Sequence, residues 1–220
     1  VLVRRVGPVR ALAFGAMLNV FLKSALPSMP CVKFTWPQIQ AMLVKPLEQQ
    51  GYQVDISNSE SIRELSEKLK YDGHVLDGLI NCSGFGKKNT WQSISEEDWV
   101  HDIDVSLTGP FRMVKMAFAD LKETQGVVLN IASMYGLVAP DHRMYDGEKY
   151  ANPPSYNAAK GGLLQFNRYL ASFLSPYGIR VNAISPGPFP YEITQEENPD
   201  FIKRLAAKTP LNRIGLPHEI

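Results

Sequence analysis

The sequence predicts an α/β protein built on a doubly wound parallel sheet, in a single domain. Three short apolar runs, at 75–80, 127–131 and 179–184, have the length and the β-branched content of buried strands. Longer segments with apolar residues at helical spacing separate them, and no linker-like stretch divides the 220 residues. Strands that alternate with amphipathic helices form a parallel sheet covered on both faces.

The first helix is predicted to begin near Ser57. Ser57 and Glu60 have the spacing of a capping box, and apolar residues then recur at helical spacing as far as Leu69. A turn at 71–73 follows, and the run from 75 to 80 reads as a buried strand. The order of elements here is therefore helix, then strand.

The alternation continues to the end of the chain. A helix is predicted over about 96–121, a strand over 127–131, a helix over about 156–174 and a strand over 179–184. Ligands of such sheets bind beyond the carboxyl ends of the strands. The segments that this rule selects are Asp55-Ile56, Asn81-Cys82-Ser83-Gly84, Ser133 with its neighbours, and Pro186-Gly187.

Residues 1–50 depart from this rhythm. A doubly wound chain opens with a strand, a glycine-rich turn and a helix, because backbone amides must approach a phosphate closely there. Gly7 and Gly15 are isolated, and several prolines interrupt any long helix. We therefore expect residues 51–220 to carry the fold, the domain to be incomplete at both ends, and phosphate binding to be weak.

Composition excludes several classes of function. The chain is 45% hydrophobic with a formal net charge of +1, which predicts neither nucleic acid nor a membrane surface as partner. Cys31 and Cys82 are too far apart for a metal-ligand pair and too few for a disulfide framework. The apolar run 11–22 is too short to span a bilayer. We expect a cytoplasmic protein that holds no metal.

Tyr156 and Lys160 carry the clearest chemical signal. They lie four residues apart at the start of a predicted helix, one turn above the other on one face. A neighbouring ammonium group should lower the pKa of the phenol and make it a useful acid/base. Ser133 follows a strand, where its hydroxyl could bind a substrate oxygen beside Tyr156. The alternative is a core helix with a solvated lysine.

Taken together, these motifs resemble the classical short-chain dehydrogenase/reductase family over residues 52–220. The resemblance implies a Rossmann-like fold and hydride transfer between NAD or NADP and an alcohol or ketone. It also implies site residues. These are Ser133, Tyr156 and Lys160 in the catalytic triad, with Tyr156 and Lys160 also at the cofactor; Asp55 and Ile56 at the adenine; Asn81, Ser83 and Gly84 in the nucleotide loop; and Pro186, Gly187 and Phe189 on the nicotinamide side.

Two departures from the family pattern affect the expected site. Ser106 stands where the family has a catalytic asparagine. The proton relay through water at a kinked helix, which the family resemblance implies, is therefore not expected to form in the usual way. Ser133 and Tyr156 are 23 residues apart, longer than is usual in the family. The inserted loop, 140–154, includes Arg143 and other polar residues that suit a polar or sugar-like substrate, with a merely solvated loop as the alternative.

The sequence therefore predicts an NAD(P)-dependent oxidoreductase that acts on a small-molecule alcohol or ketone. A non-catalytic chain, either a truncated or frameshifted relative or a binding module, is the competing interpretation. An apolar stripe that includes Leu163 and Phe173 follows Tyr156 at helical spacing. Such a stripe serves either as core or as an interface, and the family resemblance implies a homodimer or homotetramer through this helix.

Overall fold

The structure is a computed structural model that describes residues 2–5, 11–13, 51–84, 86–145 and 152–219. In chain order its strands are β1 (Leu2–Arg5), β2 (Ala11–Ala13), β3 (Leu76–Asn81), β4 (Val127–Ile131) and β5 (Arg180–Ile184). Its α-helices are α1 (Ser59–Tyr71), α2 (Glu96–Ile103), α3 (Gly109–Thr124), α4 (Pro154–Leu174), α5 (Glu192–Glu197) and α6 (Pro199–Ala206).

The five strands form one sheet in the order β2-β1-β3-β4-β5. β3 pairs with β4 in parallel, with Asn81 opposite Asn130, and β4 pairs with β5 in parallel, with Ile131 opposite Ile184. The three strands predicted from the apolar runs are confirmed, with bounds shifted by one residue at most. Their carboxyl ends lie at one edge of the sheet, where the sequence places the candidate site.

The parallel sheet predicted from the alternating part of the chain is confirmed for β3, β4 and β5, whereas β1 and β2, in the segment that departs from this rhythm, pair differently. β1 pairs antiparallel with both β2 and β3. Only five residues separate β1 from β2, whereas a parallel connection needs a crossover of about a dozen. The sequence predicts that the glycine-rich turn usual after the first strand is missing, and residues 6–10, which follow β1, lie outside the described residues.

Helix α1 begins one residue later than the capping-box spacing predicts. Asn58 is its N-cap, and the Asn58 side chain accepts hydrogen bonds from the backbone N–H groups of Glu60 and Ser61. The Ser57 hydroxyl instead donates to the Asp55 carboxylate at 2.6 Å. Because that hydroxyl is engaged, the capping function passes to the next residue.

The helix predicted over 96–121 is interrupted. A π-helical segment, Asp104–Thr108, separates α2 from α3, and the Gly109 N–H donates to the Asp104 carbonyl five residues earlier. Pro110 has no N–H to give to the carbonyl of Ser106, four residues before it, and its ring would clash with that carbonyl in a regular α-helix. The widened turn accommodates the proline without ending the helical path.

The main core lies between the parallel strands and helices α1, α3 and α4. Strand side chains such as Leu79 and Val128 are fully buried, as are Met113 and Leu121 of α3. Two smaller clusters flank it. One joins Ala132 to α4, and the other joins Met144 to Phe201 and Leu205 of α6.

The turn after Ser133 packs directly on α4 at Gly136. A Cβ atom at Gly136 would lie 2.7 Å from the backbone carbonyl oxygen of Lys160, too close for any side chain. At Gly161, on the other side of the same contact, a Cβ atom would lie 3.7 Å from the Gly136 oxygen, an ordinary van der Waals distance. The close contact between this turn and α4 therefore requires glycine at position 136 but not at position 161.

Gly136→Ala should lower the free energy of unfolding by about 1–3 kcal/mol, because the added methyl group must push the turn away from the α4 backbone. Gly161→Ala should be neutral or slightly stabilising, since alanine favours the helix. Urea unfolding of the two variants checks this difference. Equal stabilities of the two variants would contradict it.

Candidate active site

The carboxyl ends of β4 and β5 continue side by side beyond the sheet. The Ala132 N–H donates to the Ile184 carbonyl at 2.8 Å, and the Met134 N–H donates to the Pro186 carbonyl at 3.0 Å. These bonds place the Ser133 turn next to the 186–187 segment. Two of the predicted site segments are therefore held together by backbone contacts.

Ser133 is a buried residue at the start of a short 3₁₀ turn, Met134–Gly136. Its Oγ atom accepts a hydrogen bond from the Tyr135 N–H at 3.1 Å, which fixes the side chain. The Ser133 side chain also acts on the Tyr156 phenol as a hydrogen-bonding neighbour that lowers its pKa. The structure thus brings together the two hydroxyls that the sequence predicts to act on one substrate oxygen.

Lys160 is almost completely buried, at 3% exposure. Its Nζ atom donates to the Ile131 carbonyl at 2.7 Å and to the Ser83 carbonyl at 3.4 Å. It also lies 5.7 Å from the centre of the Tyr156 ring. Tyr156, Lys160 and Ser133 therefore converge at the carboxyl edge of the sheet.

The effect of this environment on Tyr156 differs from the prediction. Burial raises the pKa of Tyr156, and the hydrogen bond to Ser133 opposes that rise. Burial also lowers the pKa of Lys160 to about 8. A nearby ammonium was expected to lower the pKa of the phenol, but in this protein burial raises it.

Ser106 is fully buried within the π-helical segment. The neighbouring residue Leu107 packs against Gly162 of α4, where a Cβ atom would lie 2.8 Å from the Leu107 Cδ2 atom. The irregular helix that the family resemblance implies is thus present although serine replaces asparagine, because Pro110 produces it. A catalytic role for Ser106 stays a prediction.

The residues predicted to contact adenine differ in exposure. Asp55 is exposed, and hydrogen bonds from the Ser57 hydroxyl and N–H lower the pKa of its carboxyl group, which therefore stays ionised at neutral pH. Ile56 is buried, with its side chain against Gly109. The backbone carbonyl of Ile56 accepts a hydrogen bond from Arg112 at 3.2 Å.

The nucleotide loop divides into a structural and an open part. Asn81 is buried, and its Nδ2 atom donates to Asn130 at 2.8 Å, so that its side chain ties β3 to β4. Ser83 is half-buried, and Gly84 is exposed. A Cβ atom at Gly84 would lie 3.3 Å from Lys160 Nζ, so the backbone of this loop passes directly over the buried amine.

The segment after β5 leads away from the sheet. Pro186 is half-buried and Gly187 is exposed, with open space where a Cβ atom would be. The Phe189 ring instead packs on Gly215, and the Gly215 N–H donates to the Pro188 carbonyl at 2.9 Å. The structure thus groups Pro186 with the Ser133 turn, whereas Phe189 contacts the C-terminal segment.

Comparison with known proteins identifies the family of this chain. Residues 37–220 match the protein family described as enoyl-(acyl carrier protein) reductase. A short-chain dehydrogenase from Leptospira borgpetersenii, solved with bound NAD+, is 33% identical; the alignment covers 88% of this chain and 69% of that one, with a TM-score of 0.71. The chain belongs to the classical short-chain dehydrogenase/reductase family.

Other members of the family show a similar level of sequence identity to this chain. The 3-oxoacyl-(acyl-carrier-protein) reductase FabG of Vibrio cholerae is 27% identical over 171 residues, which is 77% of this chain and 66% of that protein. The chain thus spans slightly less than two thirds of that relative's length. The RhlG/NADP complex of Pseudomonas aeruginosa is 25% identical, covers 82% of this chain and 70% of that one, and has a TM-score of 0.69.

Two tyrosines near Tyr156 were not identified as candidate site residues from the sequence. The hydroxyls of Tyr135 and Tyr145 lie 2.7 Å apart, and both tyrosines interact electrostatically with Tyr156. Tyr145 also packs against Phe201 of α6, with ring centres 5.5 Å apart. A tyrosine two residues after Ser133 was the available signal, but Tyr145 comes into place only through the tertiary structure.

Arg143 of the inserted loop is exposed and pairs within its own loop. Arg143 is 86% exposed along its side chain, and it bonds to Asp141 of its own loop at 2.8 Å. Lys208 also contacts Asp141, at 3.0 Å. The sequence-based expectation that Arg143 contacts substrate therefore has no support in its position. Residues 146–151 of the loop lie outside the described residues.

The described ranges offer neither a metal-binding cluster nor a membrane-spanning helix. In that part of the chain, no group of three or more His, Cys, Asp or Glu side chains is arranged to hold a metal ion. None of the described helices combines the length and the apolar character needed to cross a membrane.

The lowered pKa of Lys160 predicts a pH-dependent contribution to stability. Below pH about 8 both the folded and the unfolded chain hold the proton, and the folded chain bears the cost of a buried ammonium. Between about 8 and 10.5 the folded chain releases this proton first, so the Lys160 contribution rises with pH by up to about 1.4 kcal/mol per unit.

Lys160→Met should remove this rise, whereas Lys115→Met, at an exposed position on α3, should retain it. Urea unfolding of the wild type and both variants between pH 7 and 9.5 measures the slopes. A slope in Lys160→Met that matched the wild type would show that Lys160 is not the titrating group.

Proposed function

We infer that this chain is an NAD(P)-dependent oxidoreductase that interconverts a secondary alcohol and a ketone. One observation carries the proposal. The buried Lys160 amine lies 5.7 Å from the centre of the Tyr156 ring, and Ser133 acts on the same phenol, at the carboxyl edge of parallel strands. Such an arrangement suits proton exchange with one substrate oxygen.

Tyr156 supplies the proton when a ketone is reduced. Its raised pKa keeps the phenol protonated at neutral pH, and Ser133 can donate a second hydrogen bond to the same carbonyl oxygen. The ammonium form of Lys160 favours the phenolate that remains after the proton leaves. A bound nicotinamide supplies or accepts the hydride.

The residues present fit a dinucleotide along the sheet edge. The ionised carboxylate of Asp55 is exposed and can accept hydrogen bonds from the adenosine portion, as the resemblance implies. Gly84 leaves the space above Lys160 free of any side chain, and Gly187 is open to solvent. We therefore assign Lys160, Tyr156 and the 186–187 segment to the nicotinamide half and Asp55 to the adenine half.

The substrate is proposed to be a polar small-molecule ketone or alcohol. The paired hydroxyls of Tyr135 and Tyr145, near Tyr156, give the site hydrogen-bonding groups suited to an oxygen-rich molecule. The sugar-like option from the sequence rests on these groups, not on Arg143. A 3-oxoacyl substrate, as the name of the Vibrio cholerae relative indicates for that protein, is the other arm of the test.

The test of function combines cofactor binding with turnover. NADH and NADPH are titrated by fluorescence, and their oxidation is followed with acetoacetyl-coenzyme A, ethyl acetoacetate and a keto sugar. Saturable binding with turnover of any ketone supports the enzyme. Absence of both would favour the competing interpretation, a non-catalytic chain or binding module.

The exposed thiol of Cys82 accords with the cytoplasmic location that we propose.

Tyr156→Phe should lower kcat by at least about 100-fold, because it removes the proton donor without changing the ring. Tyr177→Phe, a matched change in a tyrosine that packs on Phe118, should leave kcat unchanged. Steady-state kinetics with the best ketone of the panel measures both. Near-normal turnover in Tyr156→Phe would remove this residue from the mechanism.

Tyr145→Phe should raise KM for the ketone by about tenfold with little change in KM for the cofactor, because it removes a substrate-side hydroxyl worth about 1.4 kcal/mol. Arg143→Ala, in the same loop, should leave both constants unchanged because its side chain points to solvent. A raised KM for the ketone in Arg143→Ala, with no change in Tyr145→Phe, would instead support the sequence-based expectation that Arg143 contacts substrate.

We also propose that the chain self-associates through the exposed side of α4. Tyr169 and Phe173 are stacked on that side, 5.7 Å apart, and remain more than half exposed. Phe111 of α3 is also 46% exposed and lies 6.1 Å from Phe166. Large aromatic groups exposed together on two neighbouring helices favour a homodimer or homotetramer interface.

Phe173→Glu should therefore shift the chain from oligomer to monomer, because a charge at the centre of an apolar interface is left without compensation. Tyr71→Glu, at an 88% exposed aromatic on α1, is the matched control and should not change the mass. Sedimentation at several protein concentrations distinguishes the two. An unchanged mass in Phe173→Glu would exclude this interface.

A further inference from the structure

A buried carboxyl group lies beside the first turn of α4. Asp102 of α2 and Ser155 of α4 are both 0% exposed. The Ser155 Oγ atom donates a hydrogen bond to the Asp102 Oδ2 atom at 2.5 Å, across 53 residues of sequence. Ser155 immediately precedes Tyr156. The bond is therefore a polar link between α2 and the residue next to the proposed proton donor.

The N-terminus of α4 has no side-chain cap of its own. Pro153 occupies the N-cap position and makes no capping hydrogen bond, and Pro154 at the first position has no N–H group. The remaining N–H groups and the positive end of the helix dipole favour a nearby carboxylate. Asp102 supplies such a group from a different helix.

The surroundings of Gly86 show how closely this region is packed. A Cβ atom at Gly86 would lie 2.8 Å from Pro153 Cγ, 3.4 Å from Tyr156 Cβ and 3.6 Å from Asp102 Oδ2. The loop after β3, the start of α4 and the end of α2 thus meet where no further side chain fits. A change in the Asp102–Ser155 hydrogen bond would therefore shift the Tyr156 backbone.

Stability alone does not account for an aspartate at this position. Its Oδ1 atom is buried and has no hydrogen-bond partner among the described residues. A buried carboxyl oxygen without a partner is costly, and an apolar side chain of similar size would avoid that cost. The hydrogen bond to Ser155 is the feature that such an apolar side chain could not provide.

We propose that Asp102 is a positioning residue that, through Ser155, sets the place of the Tyr156 hydroxyl relative to Ser133. The proposal rests on the function inferred above, in which Tyr156 transfers the proton. Misplacement of a reacting group by about 1 Å can lower turnover by about 100-fold. The first turn of α4 needs this hydrogen bond from α2, because Pro153 at the N-cap and Pro154 at the first position leave the turn without a side-chain cap.

The test is a double-mutant cycle with kinetics. Ser155→Ala and Asp102→Val should each lower kcat by about tenfold, with KM for the cofactor changed less than twofold, and the double variant should be no worse than either. Asp102→Asn should stay within about threefold of the wild type, because its carbonyl oxygen can still accept the Ser155 hydrogen bond.

Thr124→Val is the matched control for a purely structural effect. The Thr124 hydroxyl donates to the Leu76 carbonyl at 3.0 Å, at the opposite end of β3 from Asn81. This change should lower the unfolding midpoint and leave kcat unchanged. A Ser155→Ala variant that behaved in the same way would overturn the proposal, and so would an Asp102→Asn variant as impaired as Asp102→Val.

The Tyr156→Phe variant, measured in the same assay, distinguishes a failure of this positioning role from a failure of the proposed function. If Tyr156→Phe keeps its turnover, the proposed function itself fails. If Tyr156→Phe loses turnover while Ser155→Ala keeps a normal kcat, only the positioning role of Asp102 is wrong.

Discussion

The geometry of the site depends on the hydrogen bond from the Lys160 ammonium to the Ile131 carbonyl, 2.7 Å long. Ile131 is the last residue of β4, so this bond fixes the first turns of α4 against the carboxyl end of a central strand. The longer bond to the Ser83 carbonyl adds the loop after β3. Backbone carbonyls replace the water that the ammonium loses on burial. Ser133, two residues beyond Ile131, consequently faces Tyr156.

The same burial acts on both ionisable groups of the site. It raises the pKa of Tyr156 and lowers the pKa of Lys160 to about 8, because a low-dielectric environment disfavours charge of either sign. A neutral phenol therefore lies beside an amine that titrates near the working pH of most enzymes. In the proposed function, the phenol would hold its proton until an oxygen with developing charge accepts it.

Irregular backbone at two points gives the site its shape. Pro110 widens the helix between α2 and α3 into a π-helical segment that carries Ser106, and Pro153 and Pro154 start α4 without a side-chain cap. Both features abut the Tyr156 turn, and both are stabilised from outside their own helix. Tertiary packing around these two segments therefore helps to determine where Ser106 and Tyr156 lie.

The sequence by itself determined the three parallel strands, the helices between them and the pairing of Tyr156 with Lys160, because apolar periodicity and short-range spacing encode these features. The grouping of Ser133 with this pair followed from its place after a strand and from the family resemblance. Only the tertiary structure placed β1 antiparallel, moved the α1 cap to Asn58, reversed the expected pKa shift of Tyr156 and turned Arg143 outward. It also brought Asp102 to Ser155, 53 residues away. Burial and contacts between distant segments decide these features, and no local pattern records which distant group fills a given space.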